Sequence, residues 1–456
     1  MNLFNRIICL SAMSGMLLML GGCGLYSNYK RPDMADAMPE ITLGHDSVAT
    51  PLYAMSWRSL LTDSALVSLI ERGLTNNTDL RIAQLKVDEA AATLSASRLA
   101  LLPSVGISAD GKVAKSSPST FTVTPTASWE IDIFGRQRNL RKSAEAAFYG
   151  SMAFRQAVQT ALIASIADGY YTLLMLEEQL SISERTLTTW DENIRALQAF
   201  KRTGRTNEAA VLQARANRMQ VENSILTLRK QILVQENSLK SLILDPRFEI
   251  KRGKLREQKF PEALSGGINA AMLSARPDVL QAEYQLQKSF YGINVARAAF
   301  YPSLTLSGSA GWTTSSGSSV ANPSSWIANA IGSLAAPIFS RGTNEANLRI
   351  ARAEYEIASL QFQQTLLDAG MEVNNAISAW QTAEERIAID KKQIVTLKGA
   401  VHSTRLLMRN TGTTNYLTVL TAQQRLLDAE LTEVNDRYMA IQSVIALYHA
   451  LGGGVD

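Results

Sequence analysis

From Gln137 to about Arg202 the chain contains no proline, and helical spacing of its apolar residues runs nearly throughout. At 1.5 Å per residue such a stretch extends roughly 100 Å, far beyond the diameter of an ordinary domain. Val158, Leu162, Ile166, Tyr170, Leu173, Leu176 and Leu180 follow one another at three- and four-residue steps. Leu427, Leu431, Val434, Tyr438, Ile441, Ile445 and Tyr448 do the same near the C-terminus. These are amphipathic stripes, with Gln, Asn, Arg and Glu on the opposite faces. Helices of this length cannot fold back into a globule. They pack side by side as a coiled-coil rod or line a long tube, and periodicity alone leaves both open.

The chain also says things twice. Thr203-Gly204-Arg205-Thr206-Asn207 leads to Val211-Leu212-Gln213-Ala214, and Thr411-Gly412-Thr413-Thr414-Asn415 leads to Val419-Leu420-Thr421-Ala422, at an offset of 208. Helix-like stretches from Asp79 to Leu102-Pro103-Ser104 and from Asp278 to Tyr301-Pro302-Ser303 lie 199 apart, and Phe134-Gly135-Arg136 echoes Phe339-Ser340-Arg341 at 205. Each half therefore reads helix, short β region, very long helix, turn, helix. The division expected is a leader over 1–22, an N-terminal segment over 23–60, a first repeat over 61–245, a connector over 246–270 and a second repeat over 271–456.

Between the helices the period changes from 3.6 to two. Over Phe121–Ile133, Phe121, Val123, Ala127, Trp129, Ile131 and Ile133 alternate with Thr122, Thr124, Thr126, Ser128, Glu130 and Asp132. Ser303–Trp312 repeats the pattern, Val105–Val113 is a weaker partner, and Ser325–Phe339 alternates poorly because Ile327 and Ile331 fall on the polar side. Strict alternation gives one wet and one apolar face. In an outer-membrane barrel the apolar face meets lipid and the polar face lines water. The Ser/Thr/Gly/Pro-rich links Lys115–Thr120 and Thr313–Pro323 suit hairpin loops, and Trp129, Trp312 and Trp326 suit an interfacial girdle. Four strands cannot close a transmembrane barrel, because the smallest have about eight, so several copies must share one. That argument allows two, three or four chains.

The N-terminus adds an address. Arg6 precedes an apolar run from Ile7 to Leu20, too short to span a bilayer and of the length of a secretory signal, and Leu20-Gly21-Gly22-Cys23 has the form of a lipobox. Cys23 is the expected site of a covalent lipid, and Cys9 lies in the part expected to be removed, so no disulfide is expected. Gly24 in place of Asp points to the outer membrane under enteric-type sorting. Basic and acidic residues number 45 and 41, a net charge of +4 with signs interspersed, which gives no footprint for nucleic acid. Beyond Cys23 no run of 18 apolar residues occurs. His45, His402 and His449 lie far apart without metal-ligand spacing, no nucleophile elbow is present, and Gly452-Gly453-Gly454 follows a helix where a phosphate loop would precede one. No enzymatic activity, cofactor or metal site is expected.

Trp129-Glu130-Ile131-Asp132-Ile133-Phe134-Gly135-Arg136, Ala275-Arg276-Pro277-Asp278-Val279, Tyr301-Pro302-Ser303-Leu304, Asn415-Tyr416-Leu417-Thr418-Val419-Leu420 and Leu447-Tyr448-His449-Ala450-Leu451-Gly452-Gly453-Gly454 occur in this order. Together they resemble the TolC-like outer membrane efflux factors, in particular the lipoprotein branch of OprM-like and NodT-like channels. The resemblance implies an α+β membrane protein. Three chains would share a transmembrane β-barrel, about four strands from each, continued by a long periplasmic α-helical barrel, with a mixed equatorial region drawn from 24–60 and 246–270. It implies a homotrimer in outer-membrane lipid, working with a periplasmic adaptor (membrane fusion) protein and an inner-membrane pump of the resistance-nodulation-division class. Adaptor docking is expected at the tip turns, Gly204, Thr206 and Asn207 with Gly412, Thr414 and Asn415. There glycine suits a left-handed helix end, and Thr or Asn can cap the next helix. The gate is expected around Leu417, Thr418, Thr421 and Gln424. Thr421 and Gln424 carry no charge where the family has Asp and Arg, so closure is expected to be steric and apolar around Leu417. Glu130 and Asp132 either ring the lumen or pair with Arg136 and Arg138 to finish the strand. A lipid-anchored scaffold without a pore would share the anchor and the long helices but would need no alternating strands.

Overall fold

The structure, a computed structural model, describes residues 26–32, 56–114, 117–258, 273–314, 325–410 and 416–453. In chain order the elements are α1 (Trp57–Leu60), α2 (Ser64–Asn76), α3 (Thr78–Leu99), β1 (Ser104–Ala114), β2 (Ser117–Ile131), α4 (Arg136–Arg202), α5 (Glu208–Leu242), a 3-10 turn (Leu255–Glu257), α6 (Pro277–Ala298), β3 (Ser303–Thr313), β4 (Ser325–Ala335), α7 (Thr343–Asn410) and α8 (Tyr416–Ala450). The long helices α4 and α7 have 67 and 68 residues, and α5 and α8 have 35 each. Among the described residues no helix is long and apolar enough to cross a membrane.

Among the described residues, α1 and α2 were not expected. α2 begins where the Asp63 side chain accepts from the Ala65 amide at 2.8 Å, and it buries Leu66, Leu69, Ile70 and Gly73. The start of α3 is set by Asn77, whose Oδ1 accepts from the amides of Asp79 and Leu80 at 2.9 and 3.1 Å. That satisfies two of the donors a helix start leaves open.

The four strands form one antiparallel sheet in the order β1-β2-β3-β4. Two expected boundaries shift. β2 starts at Ser117, inside the expected hairpin loop, because Thr120 through Thr126 supply β-branched residues that continue the ladder with β1. β4 stops at Ala335, short of Phe339, two residues before Pro337, which has no amide to donate to a ladder.

The chain divides into two compact units, each built from three segments: 1–36, 84–153 and 280–365 in one, 37–83, 154–279 and 366–456 in the other. The first holds the sheet. The second buries the stripe on α4 (Leu162, Ile166, Tyr170, Leu173 and Leu176) and most of the stripe on α8, including Val434, Ile441 and Ile445. Its connector is tied down by charge. Arg252 pairs with Glu177 on α4 and Glu236 on α5, and Arg256 reaches Glu178 at 3.0 Å and Glu433 on α8 at 3.2 Å. Tyr170 donates to Asp63 at 2.9 Å and accepts from the Gly253 amide at 2.9 Å. Burial keeps the phenol protonated well past its ordinary range, with the Asp63 charge adding to the effect.

Candidate channel wall and periplasmic tip

Register sorts the sheet into two chemically distinct faces. Val105, Ile107 and Ala109 stand opposite Ala127, Pro125 and Val123; Val123, Trp129 and Ile131 stand opposite Trp312, Leu306 and Leu304; and Leu304 and Trp312 stand opposite Leu334 and Trp326. Residues directly opposite point to the same side, so these form one continuous apolar face. Much of it is uncovered among the described residues: Val105 is 81% and Trp326 79% exposed. The other face carries Ser104, Ser108, Thr122, Thr124, Thr126, Ser128, Thr305, Ser307 and Ser309. Thr122 and Thr313 share a hydroxyl hydrogen bond across it at 3.1 Å. Ile327 and Ile331 break the pattern, standing on the hydroxyl face opposite Gly311 and Ser307.

The three tryptophans do not make one girdle. Trp312 and Trp326 pair edge to face at 5.7 Å at the end of the sheet next to residues 315–324. Trp129 lies toward the helix ends, donating its indole N–H to the Leu101 carbonyl at 3.0 Å, and Phe134 stacks on Tyr301 nearby at 4.9 Å. Trp129 pairs with Leu306, six positions before Trp312 on β3, which separates the two aromatic levels by about 20 Å of strand. Outer-membrane barrels show this arrangement, an apolar band of about 25 Å between two aromatic girdles.

At the strand-to-helix junction the two acids have partners in their own chain. Asp132 accepts from the amides of Gln137 and Arg138 at 3.0 and 2.8 Å, capping α4, and its carboxylate meets the Arg138 Nε at 3.2 Å. Glu130 lies on the hydroxyl face opposite Thr305, 3.6 Å from the Arg136 guanidinium. Gly135 turns the chain at φ +72°, and the Tyr26 ring lies 3.4 Å from where its Cβ would stand.

Of the two tip turns, the first is described and Gly412, Thr414 and Asn415 lie outside the described residues, as does Cys23. Gly204 has φ +72° and closes α4, with the Arg205 amide donating to the Phe200 carbonyl at 2.9 Å and the Gly204 amide to Lys201 at 3.1 Å. Asn207 caps α5, accepting from the Ala210 amide at 3.1 Å, so of the two possible caps it is Asn207 and not Thr206 that fills the role. On α8, Leu417 is 53% exposed, Thr418 and Thr421 are exposed, and Gln424 is half-buried, donating to Asp428 at 3.0 Å. Beside them Gln423 is buried, and with its amide oriented to satisfy both neighbours it accepts from Asn193 on α4 at 2.8 Å and from Arg405 on α7 at 2.6 and 3.1 Å. Sequence reasoning missed that cross-helix tie, because a lone Gln on a helix carries no signal of its partners.

Sequence reasoning also passed over Arg276, which it saw only as part of a motif. Its guanidinium is 2% exposed, takes both oxygens of Asp278 at 3.0 and 2.7 Å, and donates to the Ala450 carbonyl at 2.7 Å. The preceding turn and the end of α8 are thereby fixed to one another. Gly452 at φ +90° stands against it, and a Cβ there would crowd Pro277 and the Arg276 backbone at 3.2 and 3.3 Å.

A sequence model of the family described as Outer membrane efflux protein matches residues 69–243 and 270–453. The cation efflux system protein CusC of Escherichia coli (strain K12) is 30% identical over 455 residues, covering 96% of this chain and 97% of that one. The solvent efflux pump outer membrane protein SrpC of Pseudomonas putida is likewise 30% identical, over 465 residues, with 96% and 97% covered. The open state of the MtrE outer membrane channel of Neisseria gonorrhoeae superposes with a TM-score of 0.84 at 27% identity, covering 95% of this chain and 98% of that chain.

Proposed function

We infer the function of the chain from its family: it belongs to the outer membrane efflux protein family and is the outer-membrane channel component of an efflux pump. The observation that carries the mechanism is the sheet, whose apolar face is largely exposed, whose other face is hydroxyl-lined, and whose outer strands β1 and β4 have no further strand beside them among the described residues. A four-stranded sheet in lipid is unstable, since unpaired backbone groups at each edge cost several kcal/mol apiece. Pairing β4 of one copy with β1 of the next removes every edge, and three copies give a twelve-stranded cylinder. A second feature supports side-by-side copies. Leu212, Met219, Leu226 and Leu233 lie seven residues apart on α5 and are each more than half exposed. Such a stripe is the seam of a helix awaiting another helix.

In this reading three chains form a β-barrel in the outer membrane and an α-helical barrel in the periplasm, and the two similar halves of each chain descend from one duplicated unit. Cys23 carries the lipid anchor. The described stretch nearest to it supports an anchor tied to the strand-bearing unit, with Tyr26 beside Gly135 and Arg31 3.5 Å from Glu283. The hydroxyl face passes polar and charged cargo in water. The turns at Gly204 and Gly412 receive a periplasmic adaptor, an inner-membrane pump of the resistance-nodulation-division class delivers the cargo, and Leu417 narrows the closed channel, apolar constrictions being able to gate by dewetting. Relatives named for cation and for solvent efflux are equally similar to this chain, which supports cargo choice by the pump. A scaffold without a pore would leave the two-faced sheet without a purpose. Recording ionic current from the purified protein in planar bilayers tests the reading: stepwise conductance is expected, and silent membranes holding inserted protein would refute it.

A further inference from the structure

Helices α7 and α8 meet along an apolar seam in which Ala383, Ile387 and Ala440 form one buried cluster. One turn along, the seam changes character. Asp390 follows Ile387 by three residues and Asp436 precedes Ala440 by four, so each acid projects from the face that carries the cluster. Asp390 is 7% and Asp436 2% exposed. Each presents a buried carboxyl oxygen, Asp390 Oδ2 and Asp436 Oδ2, that has no hydrogen-bond partner among the described residues.

The charges around the pair do not balance. From α7, the Arg386 Nε stands 2.9 Å from Asp436 Oδ2. From α8, Glu433 also faces the pair and is itself buried, but Arg437 at 2.5 Å and Arg256 of the connector at 3.2 Å are both turned to it. Two ionised carboxylates buried on the same low-dielectric seam would repel. One proton between them converts that repulsion into a charge-assisted hydrogen bond.

We propose that Asp390 and Asp436 share one proton and so form a pH-sensitive latch between α7 and α8. Burial first, and then the bond to Asp436, raises the Asp390 carboxyl above its ordinary range, with Arg386 opposing. A group raised in the closed seam holds that seam fully at pH below its ordinary value and loses the contribution as pH rises through the raised one. The latch is therefore tight in acid and released toward alkaline pH. α8 also carries Leu417, and α7 is the helix that leads into the second tip turn. Release would ease dilation of the helical barrel, a consequence that rests on the channel reading; the latch itself does not.

Hydrogen–deuterium exchange on the full acylated protein in detergent reads the latch without requiring conduction. Peptides spanning 383–390 and 433–440 are followed from about pH 4 to about pH 8, corrected for intrinsic exchange. Protection is expected to fall with rising pH, by about tenfold for each unit by which the Asp390 carboxyl is raised. Asp390→Asn, which replaces the shared proton with an amide donor, keeps protection at its acid level throughout. Arg386→Gln, which removes the opposing cation, moves the fall to higher pH and carries the test if the first variant does not fold. Flat protection in the unmodified protein, or an Asp390→Asn protein that loses protection with pH as the parent does, overturns the proposal. A protein that inserts but does not conduct, yet keeps the pH-dependent protection, would sink the channel reading and leave the latch standing.

Discussion

The Arg276 guanidinium lies 2.7 Å from the Glu372 carboxylate on α7 while its other nitrogen donates to the Ala450 carbonyl at the end of α8, also at 2.7 Å. One buried cation thus joins the turn before α6 to two long helices that are distant in sequence. Glu372 is half-exposed, so the charge pair itself is screened, and the carbonyl is the more consequential partner. Leaving a buried carbonyl unmet costs about 1–3 kcal/mol. Arg276→Leu is expected to lower unfolding free energy by about that amount, read as a reduced urea midpoint with unchanged slope.

Acid acts on the same cluster through Asp278. Burial works to raise its carboxyl, but the hydrogen bonds and charge of Arg276 together with the backbone amides outweigh it and hold it below the ordinary aspartate range. Its contribution to stability is present above the ordinary value and is lost as pH falls through the lowered one. Thermal melts are expected to show the parent protein losing stability below about pH 4. Asp278→Asn should lie lower at neutral pH and fall less steeply in acid.

The two faces of β1 make a sharper test. Ile107 and its neighbour Ser108 point to opposite sides of the sheet. A lysine facing lipid near the midplane of a barrel costs about 2–4 kcal/mol, while one facing the lumen is tolerated. In the proposed trimer three copies multiply the penalty. Ile107→Lys is expected to abolish recovery from the outer-membrane fraction, and Ser108→Lys to leave it intact; equal recovery of both would contradict the assignment of the faces.

At the tip, Gly204 has open space where a Cβ would stand, so alanine meets no clash there and only the backbone objects. A non-glycine residue at φ +72° costs about 1 kcal/mol. Gly204→Ala is expected to speed amide exchange in residues 203–207 and to reduce drug or ion efflux in cells, with outer-membrane level unchanged.

Leu417 is the gate residue in this account. Leu417→Ala is expected to raise single-channel conductance in planar bilayers; no increase would move the constriction elsewhere on α8.

Most of this architecture is legible in the sequence because it rests on period. Freedom from proline and three- and four-residue steps define α4 and α8, and alternation from Phe121 onward separates the sheet faces before any register is known. What escapes is what depends on distant partners. α2 is short, so its four buried residues give too brief a stripe to stand out. Asp390 is followed by Lys391 and Lys392 and reads as a solvated face, and only packing against Asp436 shows it to be buried. Arg252 and Arg256 have no local signature at all; their roles come from glutamates on three helices. Ile327 and Ile331 weaken the alternation of β4, yet the strand forms because its ladder with β3 is complete from Ser303 to Thr313.

The central claim is that one chain cannot close the wall of the channel. Native mass spectrometry of the purified protein, on the same preparation that is inserted into bilayers, is the test. The account predicts three chains in the conducting species and none conducting alone. Conductance from a preparation containing single chains only, or a stable monomer with no conducting form, would contradict it.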